Sequence, residues 1–213
     1  MTRAAAEVLE IATPHGPAQA HLHAVDAPRA AVVLGHGAGG GVGAPDLVAA
    51  TEAALGAGVA VALVEQPYRV AGRRSAAPAH QLDAAWTAVV DAIRGDAPVL
   101  CGGRSSGARV ACRTAQATGA IGILCLAFPV HPPGRPEKTR LAELDAVAVP
   151  VLVVQGGRDP FGMPPEAPCR TVAVVDGDHG LKKDRALIAA AISDWLDRTA
   201  GATRPPDRSA GPA

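Results

Sequence analysis

Six short apolar runs cross the sequence with almost no polar alternation: Ala30–Leu34, Val59–Val64, Pro98–Cys101, Ile121–Leu126, Val149–Val154 and Thr171–Val175. A strand with one wet face alternates apolar and polar residues. A run that does not alternate is covered on both faces, which is the condition of parallel strands in an α/β sheet. Helical stretches separate the runs, at about 45–57, 79–94, 106–117, 138–146 and 181–199. The last sets Leu181, Ile188, Ile192 and Trp195 near helical spacing and leaves Lys182, Asp184 and Arg185 for the wet side. Repeated strand–helix units of this length predict a doubly wound, mostly parallel sheet. Ahead of them, extended segments near Glu7–Ala12 and Ala18–Val25 flank the turn signal Pro14-His15-Gly16-Pro17, which predicts an antiparallel hairpin.

A chain of 213 residues suits one domain, expected over residues 1–200. From about Gly201 the composition falls to Gly, Pro, Arg, Ser and Ala, so 201–213 is expected to be a disordered tail. Lys+Arg and Asp+Glu balance at 20 each, which removes the electrostatic reason to expect nucleic acid as a partner. Aromatic residues are 2%, too few for a base-stacking platform. The cysteines Cys101, Cys112, Cys125 and Cys169 form no CxxC pair, and three lie in or beside apolar runs as small hydrophobes. No signal-peptide pattern opens the chain and no apolar stretch nears the roughly 20 residues that span a bilayer. The expectation is a cytoplasmic protein that does not engage a membrane.

Between the strand at 98–101 and the helical run from 106 lies Gly103-Arg104-Ser105-Ser106-Gly107, a G-x-S-x-G turn. A serine at the apex of a sharp strand-to-helix turn has a strained backbone, and residues two positions to either side have no room for side chains. That spacing selects Ser105, flanked by Gly103 and Gly107, over Ser106, which would have Arg104 and Ala108 in those places. The bland alternative is a helix-capping serine in a glycine-rich loop.

A serine hydroxyl becomes a nucleophile when a base lies within hydrogen-bond reach and a third group orients that base. Two later loops supply candidates. Val151-Leu-Val-Val-Gln-Gly-Gly-Arg-Asp-Pro places Asp159 after one strand, and Val172-Ala-Val-Val-Asp-Gly-Asp-His-Gly places His179 after the last strand. Asp176 and Asp178 are rival acids, although their closeness to His179 in sequence makes the opposing geometry harder to reach. All of these loops leave the carboxyl ends of parallel strands, the edge where open α/β sheets bind ligands.

The glycine-rich segment Gly35-His-Gly-Ala-Gly-Gly-Gly-Val-Gly has two readings. Gly35, Gly37 and Gly40 satisfy the dinucleotide pattern G-x-G-x-x-G, with Glu65 ending the next strand. Alternatively the loop stabilises an oxyanion, with the amides of Ala38 (or Gly39) and Ser106 as donors. The second explains this loop and the serine turn together.

On these motifs the chain resembles the α/β-hydrolase superfamily over roughly residues 5–198, and within it the compact dienelactone-hydrolase-like group. It is most similar to small hydrolase-like proteins related to a domain of a chromatin-complex subunit, in which a Gly-Gly-Arg-Ser-x-Gly elbow, as at 102–107, and a Gly-His-Gly-Ala-Gly loop, as at 35–39, recur. The resemblance implies an α/β-hydrolase fold with a Ser105–Asp159–His179 triad. It implies no lactone specificity, because dienelactone hydrolases carry cysteine where this chain has Ser105.

The implied function is hydrolysis of a carboxylic ester or similar acyl bond in a small molecule, without cofactor or metal. The rival functions are a non-catalytic scaffold on the same fold and a nicotinamide-dependent oxidoreductase. His36, Gly39, Arg73 and Arg104 are candidates for the substrate pocket, with Arg69 and Arg74 beside Arg73 at its mouth. His21 and His23 share a strand face and could form half a metal site, but no third ligand is evident and a solvated pair is the simpler expectation. The segment from Phe128 to Ala146 is too short for a large lid, so the site should be open.

Overall fold

The computed structural model describes residues 6–201. The disordered tail expected at 201–213 falls, beyond Gly201, outside the described residues. The chain opens with the expected hairpin, β1 (Glu7–Ile11) and β2 (Ala18–His23), paired antiparallel. Its turn is held by Gly16 N donating to Thr13 O at 3.2 Å, with Gly16 at φ 105°, a conformation open to glycine.

The strand–helix units follow: β3 (Ala30–Gly35), α1 (Pro45–Gly56), β4 (Val59–Glu65), α2 (Pro67–Val70), α3 (Ala79–Ile93), β5 (Val99–Arg104), α4 (Ser106–Thr114), β6 (Ile123–Leu126), α5 (Leu141–Asp145), β7 (Val151–Gly156), β8 (Arg170–Val175) and α6 (Arg185–Gly201). Among the described residues the sheet has eight strands in the order β1-β2-β4-β3-β5-β6-β7-β8, parallel from β4 to β8.

Neighbouring apolar residues on one strand serve opposite faces, which is why the runs do not alternate. In β5, Val99 and Cys101 pack with Trp86, Val89 and Val110 of α3 and α4, whereas Leu100 packs on the other face with Leu47 of α1 and with Ile192 and Trp195 of α6. Three of the cysteines are indeed buried in these layers, and burial pushes the Cys101 thiol up to about 12.

Several helices differ from expectation, α4 by ending at Thr114 rather than 117. α6 begins at Arg185, and Leu181 sits in the preceding loop at φ 45°, fully buried, as a plug rather than a helix residue. The 138–146 helix shrinks to Leu141–Asp145, and α2 appears where no helix was expected, started by Pro67 at the first helical position. Between β6 and β7 the only helix is α5, so the fold carries little or no lid. No helix among the described residues is long and apolar enough to cross a membrane.

Candidate active site

Ser105 links β5 directly to α4 at φ 51° and ψ −105°, a strained backbone for a residue with a Cβ. The turn is tight because its flanking glycines press on the end of β3. A Cβ on Gly103 would lie 2.8 Å from Gly35 N, and one on Gly107 would lie 2.9 Å from His36 O. The crowding inferred from sequence is real, and its partner is the backbone of Gly35 and His36.

β7 and β8 deliver the other two groups to the same edge. His179 Nε2 lies 2.9 Å from Ser105 Oγ, and His179 Nδ1 lies 2.8 Å from Asp159 Oδ2. The serine hydroxyl therefore donates to Nε2 while Nδ1–H donates to the carboxylate, a tautomer inferred from this network. Asp159 has a fully buried side chain, and its other oxygen accepts from Phe161 N at 2.8 Å. Asp176 instead pairs with Arg158 at 2.6 Å and Lys183 at 3.3 Å, and Asp178 Oδ1 accepts from Gly180 N, so neither rival acid reaches the imidazole.

Two residues of this arrangement were not singled out in the sequence. Gln155, fully buried, directs Nε2 at Asp159 Oδ2 (2.9 Å), Phe128 O (3.1 Å) and Gly162 O (2.8 Å). Its signal was available as the one polar residue in the run Val151-Leu-Val-Val-Gln. Phe161 lies over the His179 ring with centroids 4.1 Å apart, and nothing in its neighbourhood in sequence marks it.

The 35–44 loop passes beside Ser105: a Cβ on Gly37 would lie 3.6 Å from Ser105 Cβ. Tyr68 Oη donates to Ala38 O at 2.8 Å, which fixes the plane of the Ala38–Gly39 peptide. Burial raises the Tyr68 phenol above its usual value, keeping that donor protonated. The Ser106 amide stands at the first position of α4, where a helix offers no acceptor.

His36, expected on the pocket wall, is 3% exposed, and both ring nitrogens are engaged: Nδ1 with Gly37 O at 2.8 Å and Nε2 accepting from Gln66 N at 3.1 Å. It holds the loop from beneath and presents neither nitrogen to a substrate. Gly39 has open space where a side chain would be. Arg73 is exposed in a shallow cleft with His15, Gln66 and Tyr68, and Arg104 turns toward Asp46. His21, expected as half of a solvated pair, is partly buried with Nε2 3.5 Å from Glu65. An apolar cleft of about 530 Å³ lies at the opposite, amino ends of the strands beside Ala31, Ala60 and Val99, away from Ser105.

The dinucleotide pattern has a different cause. In that motif the helix starts within the glycines so that its amides meet a pyrophosphate. Here α1 starts at Pro45, beyond Gly40, and Gly35 is used for its contact with Gly103 and Gly107.

A family model described as an alpha/beta hydrolase domain matches residues 28–205. No curated protein matches the sequence. Among solved structures, a lidless a/b serine hydrolase from Xanthomonas campestris is 18% identical with a TM-score of 0.73, covering 93% of this chain and 96% of its own. Est1E from Butyrivibrio proteoclasticus is 16% identical with a TM-score of 0.74, covering 91% and 99%. A dienelactone hydrolase from Anabaena variabilis is 16% identical with a TM-score of 0.68, covering 93% and 99%.

Proposed function

This chain belongs to the alpha/beta hydrolase domain family, and from that premise we propose that it is a serine hydrolase cleaving a carboxylic ester or related acyl bond of a small molecule. Ser105 Oγ attacks the acyl carbon as His179 Nε2 takes its proton. The imidazolium, held and stabilised by Asp159, returns the proton to the leaving group. A water activated by His179 then releases the acyl chain from Ser105. The amides of Ala38 and Ser106 receive the charge that develops on the acyl oxygen.

One observation carries this function: an unbroken hydrogen-bonded chain from Asp159 through His179 to Ser105, spanning sequence separations of 20 and 74 residues. A helix-capping serine has no need of such a chain, and Ser105 makes no side-chain cap bond to α4. Neighbours described as a serine hydrolase and as a dienelactone hydrolase support placing the chain in the compact dienelactone-hydrolase-like group, with kinship to the chromatin-complex subunit domain carried by the Gly102–Gly107 and Gly35–Gly39 motifs. Serine at the nucleophile position fits ester rather than dienelactone chemistry. Three buried free thiols fit a reducing, cytoplasmic setting.

The test is a fluorophosphonate probe followed by peptide mass spectrometry, alongside hydrolysis of short p-nitrophenyl esters. Labelling confined to Ser105, with hydrolysis abolished by Ser105→Ala, is expected. Folded protein that never labels at Ser105 would overturn the function.

A further inference from the structure

Arg104 closes β5 next to Ser105, and its guanidinium reaches three neighbouring segments. Its Nε meets Asp46 Oδ2 at 2.9 Å, and its Nη2 donates to the main-chain carbonyl of His179 at 3.1 Å. Its Nη1 lies against the backbone of Gly37, where a Cβ would come within 2.7 Å of it. One guanidinium thus touches the first turn of α1, the loop that passes Ser105, and the segment that bears His179.

We propose that Arg104 is a positioning residue, a strut anchored on Asp46 that fixes the His179 backbone and hence the distance from the imidazole to Ser105. This rests on the serine-hydrolase function argued above.

The His179 segment needs such a support. Between β8 and α6 it has no regular structure, and it contains Gly177, Leu181 and Asp184 at positive φ. Its far side is tied to the β7 loop by Arg158 N donating to Gly177 O at 2.9 Å. Toward Ser105 the His179 side chain bonds Ser105 and Asp159, and its main chain is held by Arg104 through His179 O.

Asp46 adds a second reason. Its side chain is fully buried, and burial holds its carboxyl above the ordinary value even with Arg104 beside it. A buried ion pair of this kind does little for stability compared with apolar residues of the same size. What it supplies is placement: the ion-pair contact with Asp46 holds the guanidinium where Nη2 donates to His179 O, a reach that a lysine ammonium does not duplicate. With Nε and Nη2 so engaged and only 20% of its side chain exposed, Arg104 is poorly placed to receive a substrate carboxylate.

The test compares wild type, Arg104→Lys and the double variant Arg104→Gln/Asp46→Asn. Lysine keeps a charge for Asp46 but cannot also reach His179 O; the double variant removes both buried charges and guards against a folding defect in the first. Both should remain folded by circular dichroism. kcat on p-nitrophenyl acetate should fall by about 10- to 100-fold with KM changed less than about 3-fold, the signature of a misplaced group rather than lost binding. The proton–nitrogen signals of the His179 ring should shift and broaden. A rise in KM at unchanged kcat would mean that Arg104 binds substrate and would overturn the proposal, as would unchanged kcat with unchanged ring signals. If wild type neither hydrolyses esters nor labels at Ser105, the hydrolase function fails. Altered ring signals in Arg104→Lys would still support the strut, and unaltered signals would overturn it too.

Discussion

Gly107 and Gly35 touch backbone to backbone: a Cβ on Gly107 would stand 2.5 Å from the carbonyl carbon of Gly35. The start of α4 is thereby pressed onto the end of β3, and the Ser105 turn cannot open without separating two layers of the fold. Gly107→Ala is therefore expected to lose more than about 2 kcal/mol of stability, since overpacking against main chain finds no side chain to move aside. Gly43→Ala, with nothing within 4 Å of the new methyl, should stay within about 0.5 kcal/mol of wild type. Urea denaturation of the two variants side by side measures the contrast, and equal midpoints would refute it.

The same contact shows what was legible in the sequence. The G-x-S-x-G spacing identified Ser105 and the crowding around it, because steric exclusion leaves glycine at fixed offsets. The partner of that crowding was not legible: Gly35 belongs to another motif 70 residues away, and its role emerges only when β3 and β5 pair in register, Gly35 opposite Gly103.

Ser105 should be replaceable by a residue that makes the protein more stable and inactive. Its backbone at φ 51° is strained by roughly 1–3 kcal/mol for a residue with a Cβ. Glycine relieves that strain and gives back about 0.5–1 kcal/mol through its freer unfolded chain. Ser105→Gly is thus expected to exceed Ser105→Ala by about 1 kcal/mol, or about 2–4 °C in Tm, with neither hydrolysing esters. A glycine variant that melts below the alanine variant would contradict a strained turn.

Gln155→Leu should damage both stability and rate. Removal of Nε2 leaves Phe128 O and Gly162 O without that donor and takes a neighbour from the Asp159 carboxylate. A loss of about 1–3 kcal/mol is expected from the unsatisfied buried groups. kcat should fall about 10-fold as Asp159 loses its fixed direction toward His179. Differential scanning calorimetry with steady-state kinetics reads both, and a variant with wild-type kcat would remove Gln155 from the site.

Acid should weaken the fold through His36. Burial, the largest influence, pulls its imidazole below the ordinary 6.5, although the Gly37 carbonyl and Glu65 pull the other way. The unfolded chain then takes a proton more readily than the folded one. The stabilisation is complete above about pH 6.5 and is lost as the pH falls toward the folded value, at no more than about 1.4 kcal/mol per pH unit. Urea midpoints at about pH 7.5 and about pH 5.5 should differ less in His36→Gln than in wild type. Parallel losses in the two proteins would assign the acid sensitivity to other groups.

The parallel strands were readable because a strand buried on both faces leaves a continuous apolar run. Asp159 and His179 could be singled out as candidates because each follows such a run. Leu181 misled for a physical reason: a leucine at helical spacing fits a helix face and a loop plug equally well, and only its φ of 45° separates the two. Arg104 was expected at the substrate pocket and Asp46 was not singled out, since nothing local in the sequence records that they meet at 2.9 Å.

β6 stands between β5 and β7, so the strand that separates Ser105 from Asp159 and His179 contributes none of the three. The chain that leaves it is fastened by His131 N to Phe161 O at 3.1 Å and by Arg140 N to Val130 O at 2.7 Å. Between those fastenings, residues 133–139 are exposed. A segment lengthened there would change what covers that exposed stretch, while the Ser105–His179–Asp159 spacing stays set by β5, β7 and β8.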